Sequence, residues 1–274
     1  MTSILTNNGA MVALQTLKSI NSDLTSTQNA ISTGKEVAMA KDNSAIWAIS
    51  KVMESDVSGF KAVSESLSLG ESTVAVASAG AEQITNILNE MKEKVVAATG
   101  ENVDNAKITA DVDQLKAQIT SIIGASQFNG SNLLNTAGGD ITVLSSLDRD
   151  AAGAVTAQNI TVASVDFEAG LDLTTIDVSS AANAEASIDD METLIQAAVN
   201  GAAALGASAK RIGDQNEFVG KVSDAMKSGI GSLVDTDMEA ASARLKALQT
   251  QQQLGVQALS IANTAPQSVM SLFR

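Results

Sequence analysis

The chain has 274 residues, enough for one large domain or two moderate ones with a substantial core. Its formal charge of −14 sets aside nucleic acid and anionic membrane surfaces as partners, since both need clustered Lys and Arg. Cysteine and histidine are absent and aromatic residues make up 2%, which excludes disulfides, thiol nucleophiles and thiolate or imidazole metal sites and leaves too few rings to line a ligand pocket; no cofactor, metal or catalytic site is expected.

The opening stretch MTSILTNNGAMVALQTLKSI has neither a basic n-region nor an unbroken apolar run, so no cleaved leader is expected. No segment reaches the eighteen or so apolar residues of a membrane span, and no membrane insertion is expected. A first helix is marked by Leu17, Ile20, Leu24, Thr27 and Ile31 at alternate spacings of three and four, preceded by Met11 and Leu14. The polar turn KDNS at 41–44 then precedes Trp47, read as a packing anchor at a bend.

From Ile46 the same steps land on Ile49, Met53, Asp56, Phe60, Val63, Leu67, Gly70, Val74, Ala77, Ala81, Ile84, Leu88, Met91, Val95 and Ala98, with Asp56 alone polar. A helix in that phase would be roughly 80 Å long at 1.5 Å per residue, a rod that needs partners along its length. After a break at 100–102 a second rod carries Ile108, Val112, Leu115, Ile119 and Ile122 until QFNG at 127–130, and the two can fold back antiparallel.

Between 137 and 180 the helical period gives way to short alternations: Ile141 with Val143, Ile160 with Val162, Leu171 with Leu173, and Ile176 with Val178. Asp, Gly and Asn separate them, the pattern of short strands and turns. The helical rhythm resumes at Ile188 and runs through Met191, Ile195, Ala198, Leu205, Ile212, Val219 and Ile230, then restarts at Met238 as Ala241, Leu245, Leu248, Gln252, Gly255, Leu259, Ala262, Pro266, Val269 and Phe273. Sustained heptads of this kind predict coiled-coil or bundle packing. The expected fold is mainly α, with long antiparallel helical rods, paired N- and C-terminal helices and a small β region in the middle.

Charge separates the ends from the body. Residues 1–34 hold only Lys18 and Asp23, and residues 247–274 hold only Arg274. A helix apolar on several faces must be enclosed on several sides. In the tail, Leu248, Leu259 and Phe273 share one stripe while Leu254, Ile261 and Leu272 share another; one partner helix covers one stripe, and the second needs further neighbours. The ends are therefore expected to self-associate, gaining order on docking, and a head-to-tail contact that does not close on itself produces a filament. Pro266, the single proline, deletes the bond to the Ala262 carbonyl and is expected to kink or stop the helix.

Other motifs read as ordinary surface. DRDAAG at 148–153 resembles the start of a calcium loop, but Ala152 and Asn159 occupy ligand positions, so an Asp/Gly turn is expected. The run NEMKEKVV at 89–96 is read as the solvated side of the long helix, with Glu90 and Lys94 spaced i to i+4. The pairs Asp111/Asp113, Asp189/Asp190 and Asp235/Asp237 are explained by capping and the helix dipole.

Four stretches in order carry a resemblance: ISTGKEVAMAKDN at 31–43, QFNGSNLL at 127–134, RIGDQNEF at 211–218, and the tail from Asp235 to Arg274. With them the chain resembles bacterial flagellins, of a short type with a reduced central region. The resemblance implies a non-enzymatic, exported filament subunit in an extracellular bacterial flagellum, used for swimming. It implies an inner-tube helical domain from 1–34 and 233–274, an outer-tube helical domain from 35–136 and 181–232, and a short β-rich outer region at 137–180. Met11, Leu14, Leu17, Ile20, Leu24, Ile31, Leu245, Leu248, Leu254, Leu259, Ile261, Val269, Leu272 and Phe273 would pack the terminal helices within and between subunits, with a kink at Pro266. The implied partners are further copies of the chain as a homopolymer, flagellar cap and hook-junction proteins, and an export chaperone at the C-terminal helices. The stretch that innate immune receptors read in arginine-bearing flagellins is Asn89, Glu90, Lys92 and Glu93 with their neighbours here, a weakened face because Glu90 reverses one arginine's charge and Lys92 replaces a planar fork with a point charge. Two alternatives stand beside this reading: a hook–filament junction protein with similar helical termini, and a secreted effector or enzyme with a carboxylate site in the β region.

Overall fold

The computed structural model describes residues 7–271, and side chains as far as Thr264. In chain order it contains helices α1 (Asn8–Thr33), α2 (Ser44–Ala98) and α3 (Asn105–Ala125), strands β1 (Gln127–Phe128), β2 (Ser131–Asn132), β3 (Ile141–Arg149) and β4 (Val155–Val162), then α4 (Phe167–Gly170), α5 (Ala181–Val234) and α6 (Met238–Ser271). The chain divides into two compact units, one made of the chain up to Ser55 with Ala225 onward, the other of Asp56–Asp224. The division falls inside α2 and α5 rather than in a loop.

In the unit of residues 56–224, every seam position of α2 from Val63 to Ala98 is buried, so the three-four rhythm marks a true core face there. Leu67, Leu88 and Met91 meet Ile119 of α3, Leu133 and Leu134 beyond β2, and Met191, Leu205 and Ile212 of α5 in one cluster. Asp104 caps α3 by accepting from the Lys107 N–H. QFNG closes that helix as a two-residue hairpin turn: Phe128 pairs with Ser131, and Asn129 and Gly130 both have positive φ, 50° and 86°. The buried Asn132 holds the turn by donating to the Ile123 carbonyl at 2.7 Å.

β3 and β4 form an antiparallel hairpin with Ile141 opposite Val162 and Val143 opposite Ile160, and Ser145 is the extra residue of a bulge. Val143, Ile160 and Val162 are buried. At Gly70 of α2 an added Cβ would stand 2.5 Å from Val143 Cγ2, so glycine is what lets the strand approach the helix. Asp56, the polar interruption in the α2 seam, receives Arg149 from the end of β3, with Nε donating to Oδ2 at 3.1 Å.

The expected strands around Leu171–Leu173 and Ile176–Val178 are not formed. α4 just before it, a 3₁₀ turn at Leu173–Thr175 and irregular backbone around them take the place of a ladder, with Asp166 and Asp172 accepting from the N–H groups of Ala169 and Thr174 to cap the two short turns. The apolar residues are still buried: Phe167, Leu171, Ile176 and Val178 all enter the core. Backbone bonds from Val165 to Leu133 and from Phe167 to Leu134 fasten the segment down.

Candidate assembly interface on the terminal helices

The unit that holds residues up to Ser55 and from Ala225 contains α1 and α6 as an antiparallel pair. Gly34 ends α1 in the left-handed region at φ 71°, and the chain after it meets the start of α6: Glu36 N–H donates to Val234 at 2.7 Å, and Thr236 N–H donates to Gly34 at 2.9 Å. Asp237 caps α6 through the N–H groups of Glu239 and Ala240. Farther along, Gln252 Nε2 donates to Asn21 Oδ1 at 2.6 Å, and Leu17 Cδ1 lies 3.1 Å from where a Cβ on Gly255 would be. The helices close in where one has no side chain.

One stripe of each helix is thereby covered. On α6 it comprises Ala241, Leu245, Leu248, Gln252, Gly255, Leu259 and Ala262, the stripe marked by the heptads; Leu248 is 7% exposed. On α1 it comprises Ile31, Thr27, Leu24, Ile20 and Leu17, then Ala13 and Ala10. The seam passes through those alanines rather than through Leu14 and Met11. The pair forms within one chain, so docking would add cover for the remaining faces.

Those faces stay open. Met11 and Leu14 are each 58% exposed on α1, and Leu254 and Ile261 are 59% and 70% exposed on α6. Val12 and Val256 are exposed beside them, two residues the periodicity did not select because each adjoins an open-stripe position instead of repeating the seam. No charged side chain interrupts either set between Asn7 and Leu17 or between Leu248 and Thr264. α6 runs through position 266 to Ser271, so the proline does not stop it. Val269 and Pro266 lie where the backbone alone is described, and Leu272 and Phe273 lie outside the described residues.

At the base of this unit, Glu54 of α2 accepts from Lys51 at 2.6 Å and lies 3.6 Å from Lys35 of the α1–α2 connection. The Lys51 hydrogen bond, reinforced by the charges of Lys51 and Lys35 and opposed by desolvation, holds its carboxyl below the usual carboxylate range.

The other marked residues stay apart from this surface. On α2, Asn89, Glu90 and Glu93 are exposed, and Asn89 donates back to the Thr85 carbonyl at 3.0 Å. Lys92 pairs with Glu192 of α5, and Lys94 pairs with Asp111 of α3 at 3.3 Å rather than with Glu90. DRDAAG spans the end of β3 and the β3–β4 turn, in which Asp150 accepts from Ala154 N–H at 2.8 Å and Gly153 has φ 89°. Among the described residues there is no group of acidic side chains arranged to hold a metal, and no helix long and apolar enough to cross a membrane.

Residues 4–138 match the model of the bacterial flagellin N-terminal helical region, and residues 177–273 match that of the C-terminal helical region. The chain is 42% identical to flagellin FljM of Caulobacter vibrioides over 278 aligned positions, covering all of this chain and 99% of that one. It is 41% identical to a flagellin of Brucella melitensis and 34% identical to flagellin A of Rhizobium meliloti, with full coverage of both partners in each case. The chain belongs to the bacterial flagellins.

Proposed function

We propose that this flagellin polymerises by burying, between neighbouring copies, the apolar faces that the α1–α6 pair leaves open. Its family makes it a structural subunit of the extracellular flagellar filament; the proposal concerns how the subunits hold together. The observation that carries it is the exposure of Met11, Leu14, Leu254 and Ile261 on two helices almost free of charge. Apolar burial contributes about 25 cal/mol per Å², and a face without charged groups is covered without desolvating an ion. An isolated monomer gains nothing from such faces, whereas a neighbour presenting the same two helices covers them.

On this reading 1–34 and 233–274 form the inner tube, 35–136 and 181–232 the surrounding helical layer, and 137–180 the outward face. Torque at the base is transmitted as swimming motion through the rigidity of the packed ends, and the role is structural rather than catalytic. The same open α6 face suits an export chaperone before assembly, and the filament's two ends would meet cap and hook-junction proteins. The burial of apolar surface along the seam of α2 with α3 and α5 supports a filament subunit over a junction protein, because it supplies a second body beneath the outer hairpin. Deletion of residues 254–274 tests the proposal: after salting out, electron microscopy should show no filaments, while circular dichroism retains the signal of α2, α3 and α5. Filaments from the truncated chain would overturn it.

A further inference from the structure

A helix that runs through Pro266 leaves the carbonyl of Ala262 without its intrahelical donor, because proline has no N–H. That carbonyl accepts instead from Nδ2 of Asn7, 2.7 Å away on the opposite terminal helix. The Oδ1 of the same amide accepts from the Ala10 N–H at 3.1 Å and caps α1. One side chain thus uses its acceptor on its own helix and its donor on the partner, across 255 residues of sequence.

We infer that Asn7 and Pro266 form a matched pair that fastens the start of α1 to α6, in the one register that also satisfies the Gln252–Asn21 bond and the backbone bonds of Glu36 to Val234 and of Thr236 to Gly34. Apolar heptads define the register poorly, since a slip of seven residues brings equivalent positions together again. The carbonyl ahead of the proline is distinguished by contrast, because it lacks the N–H four residues on and offers both lone pairs, whereas the other interior carbonyls of α6 already accept one helical bond. Pro266 is the single proline of the chain, so the acceptor occurs once. In a slipped register both the amide donor and the Ala262 carbonyl lose their partner, and each loss is unfavourable. This accounts for a proline in a stretch otherwise patterned as continuous helix. It concerns one chain and does not depend on polymerisation.

The absence of cysteine gives a direct test. A Cβ built on Gly9 stands 4.0 Å from Cβ of Ala262, inside the separation of about 3.5–4.5 Å that a disulfide spans. The full-length Gly9→Cys/Ala262→Cys chain is equilibrated, dilute, in a glutathione buffer: two protein thiols are oxidised to one disulfide while one oxidised glutathione is reduced to two thiols. The cross-linked fraction gives the effective concentration of the two ends. Asn7→Asp keeps the capping oxygen but removes the donor, and should lower that concentration about fivefold or more, the worth of one net hydrogen bond. With Pro266→Ala also present, an N–H returns to the residue-262 carbonyl and the loss from Asn7→Asp should shrink to less than twofold. Three results would overturn the inference: no loss from Asn7→Asp with Pro266 in place, an equal loss in the Pro266→Ala chain, or a cross-link in every variant no better than that of an unstructured chain.

Discussion

Replacing Leu254 and Ile261 together by Ser removes apolar surface that the chain's own fold does not use. They are 59% and 70% exposed, so more than half of each side chain remains to be covered by a neighbour. Full burial of a Leu or Ile contributes about 1.5–3 kcal/mol, and the uncovered fractions of the two together amount to about 2–4 kcal/mol per subunit. At about 1.4 kcal/mol per factor of ten, the critical concentration for polymerisation should rise roughly 30- to 700-fold. The assay is seeded polymerisation at fixed salt, followed by sedimentation and measurement of the soluble fraction, with circular dichroism to verify that helix content is kept. Leu248→Ala is the contrast: at 7% exposure it lies inside the α1–α6 seam, and its loss loosens the pair itself by about 2–5 kcal/mol. A critical concentration unchanged within threefold for the Leu254/Ile261 double variant, with normal helix content, would refute the reasoning.

Three further outcomes follow from the packing and charge. Gly70→Val drives a branched side chain into Val143 and should destabilise the unit of residues 56–224 by about 1–3 kcal/mol, seen as a lower denaturation midpoint; an unchanged midpoint would mean the strand can retreat freely. Because the folded pKa of Glu54 is depressed below 4.5, its contribution is complete above that value and disappears as pH falls through the folded pKa. The difference in Tm between the native chain and Glu54→Gln should therefore narrow on acidification below about pH 4.5, and a constant difference would contradict the assignment. On the exposed stretch of α2, Glu90 and the Glu192-bound Lys92 should give a weaker innate-receptor reporter response than an arginine-bearing flagellin, with Glu90→Arg/Lys92→Arg restoring it; equal responses would count against this.

The parts of the fold that could be read from the sequence are those governed by short-range repetition. The seam from Val63 to Ala98 is legible because a buried helix face repeats every three to four residues, and the break at QFNG is legible because Asn129 and Gly130 tolerate positive φ. The stretch from Leu171 to Val178 is misleading for a physical reason: alternate burial needs only alternate inward side chains, which a capped irregular segment supplies as well as a strand does. Long-range polar partners were hidden. Nothing near Asp56 announces Arg149, and nothing near Lys94 announces Asp111, because those contacts exist only once the hairpin or α3 lies on α2. At the ends, the absence of charge pointed to the open stripes, and the covered stripe followed the heptads. Yet Met11 and Leu14 fall outside the seam, which continues through Ala10 and Ala13, where small side chains allow close approach and leave the larger ones outward.

The central claim is that the uncharged ends are held together by their open faces. A helical reconstruction of the polymer by electron microscopy, at a resolution that shows side chains, tests it most directly. The account predicts that Met11, Leu14, Leu254 and Ile261 each lie against a neighbouring subunit, with the α1–α6 seam intact inside every copy. Subunits joined chiefly through the β3–β4 hairpin, with those four side chains left in solvent, would contradict it.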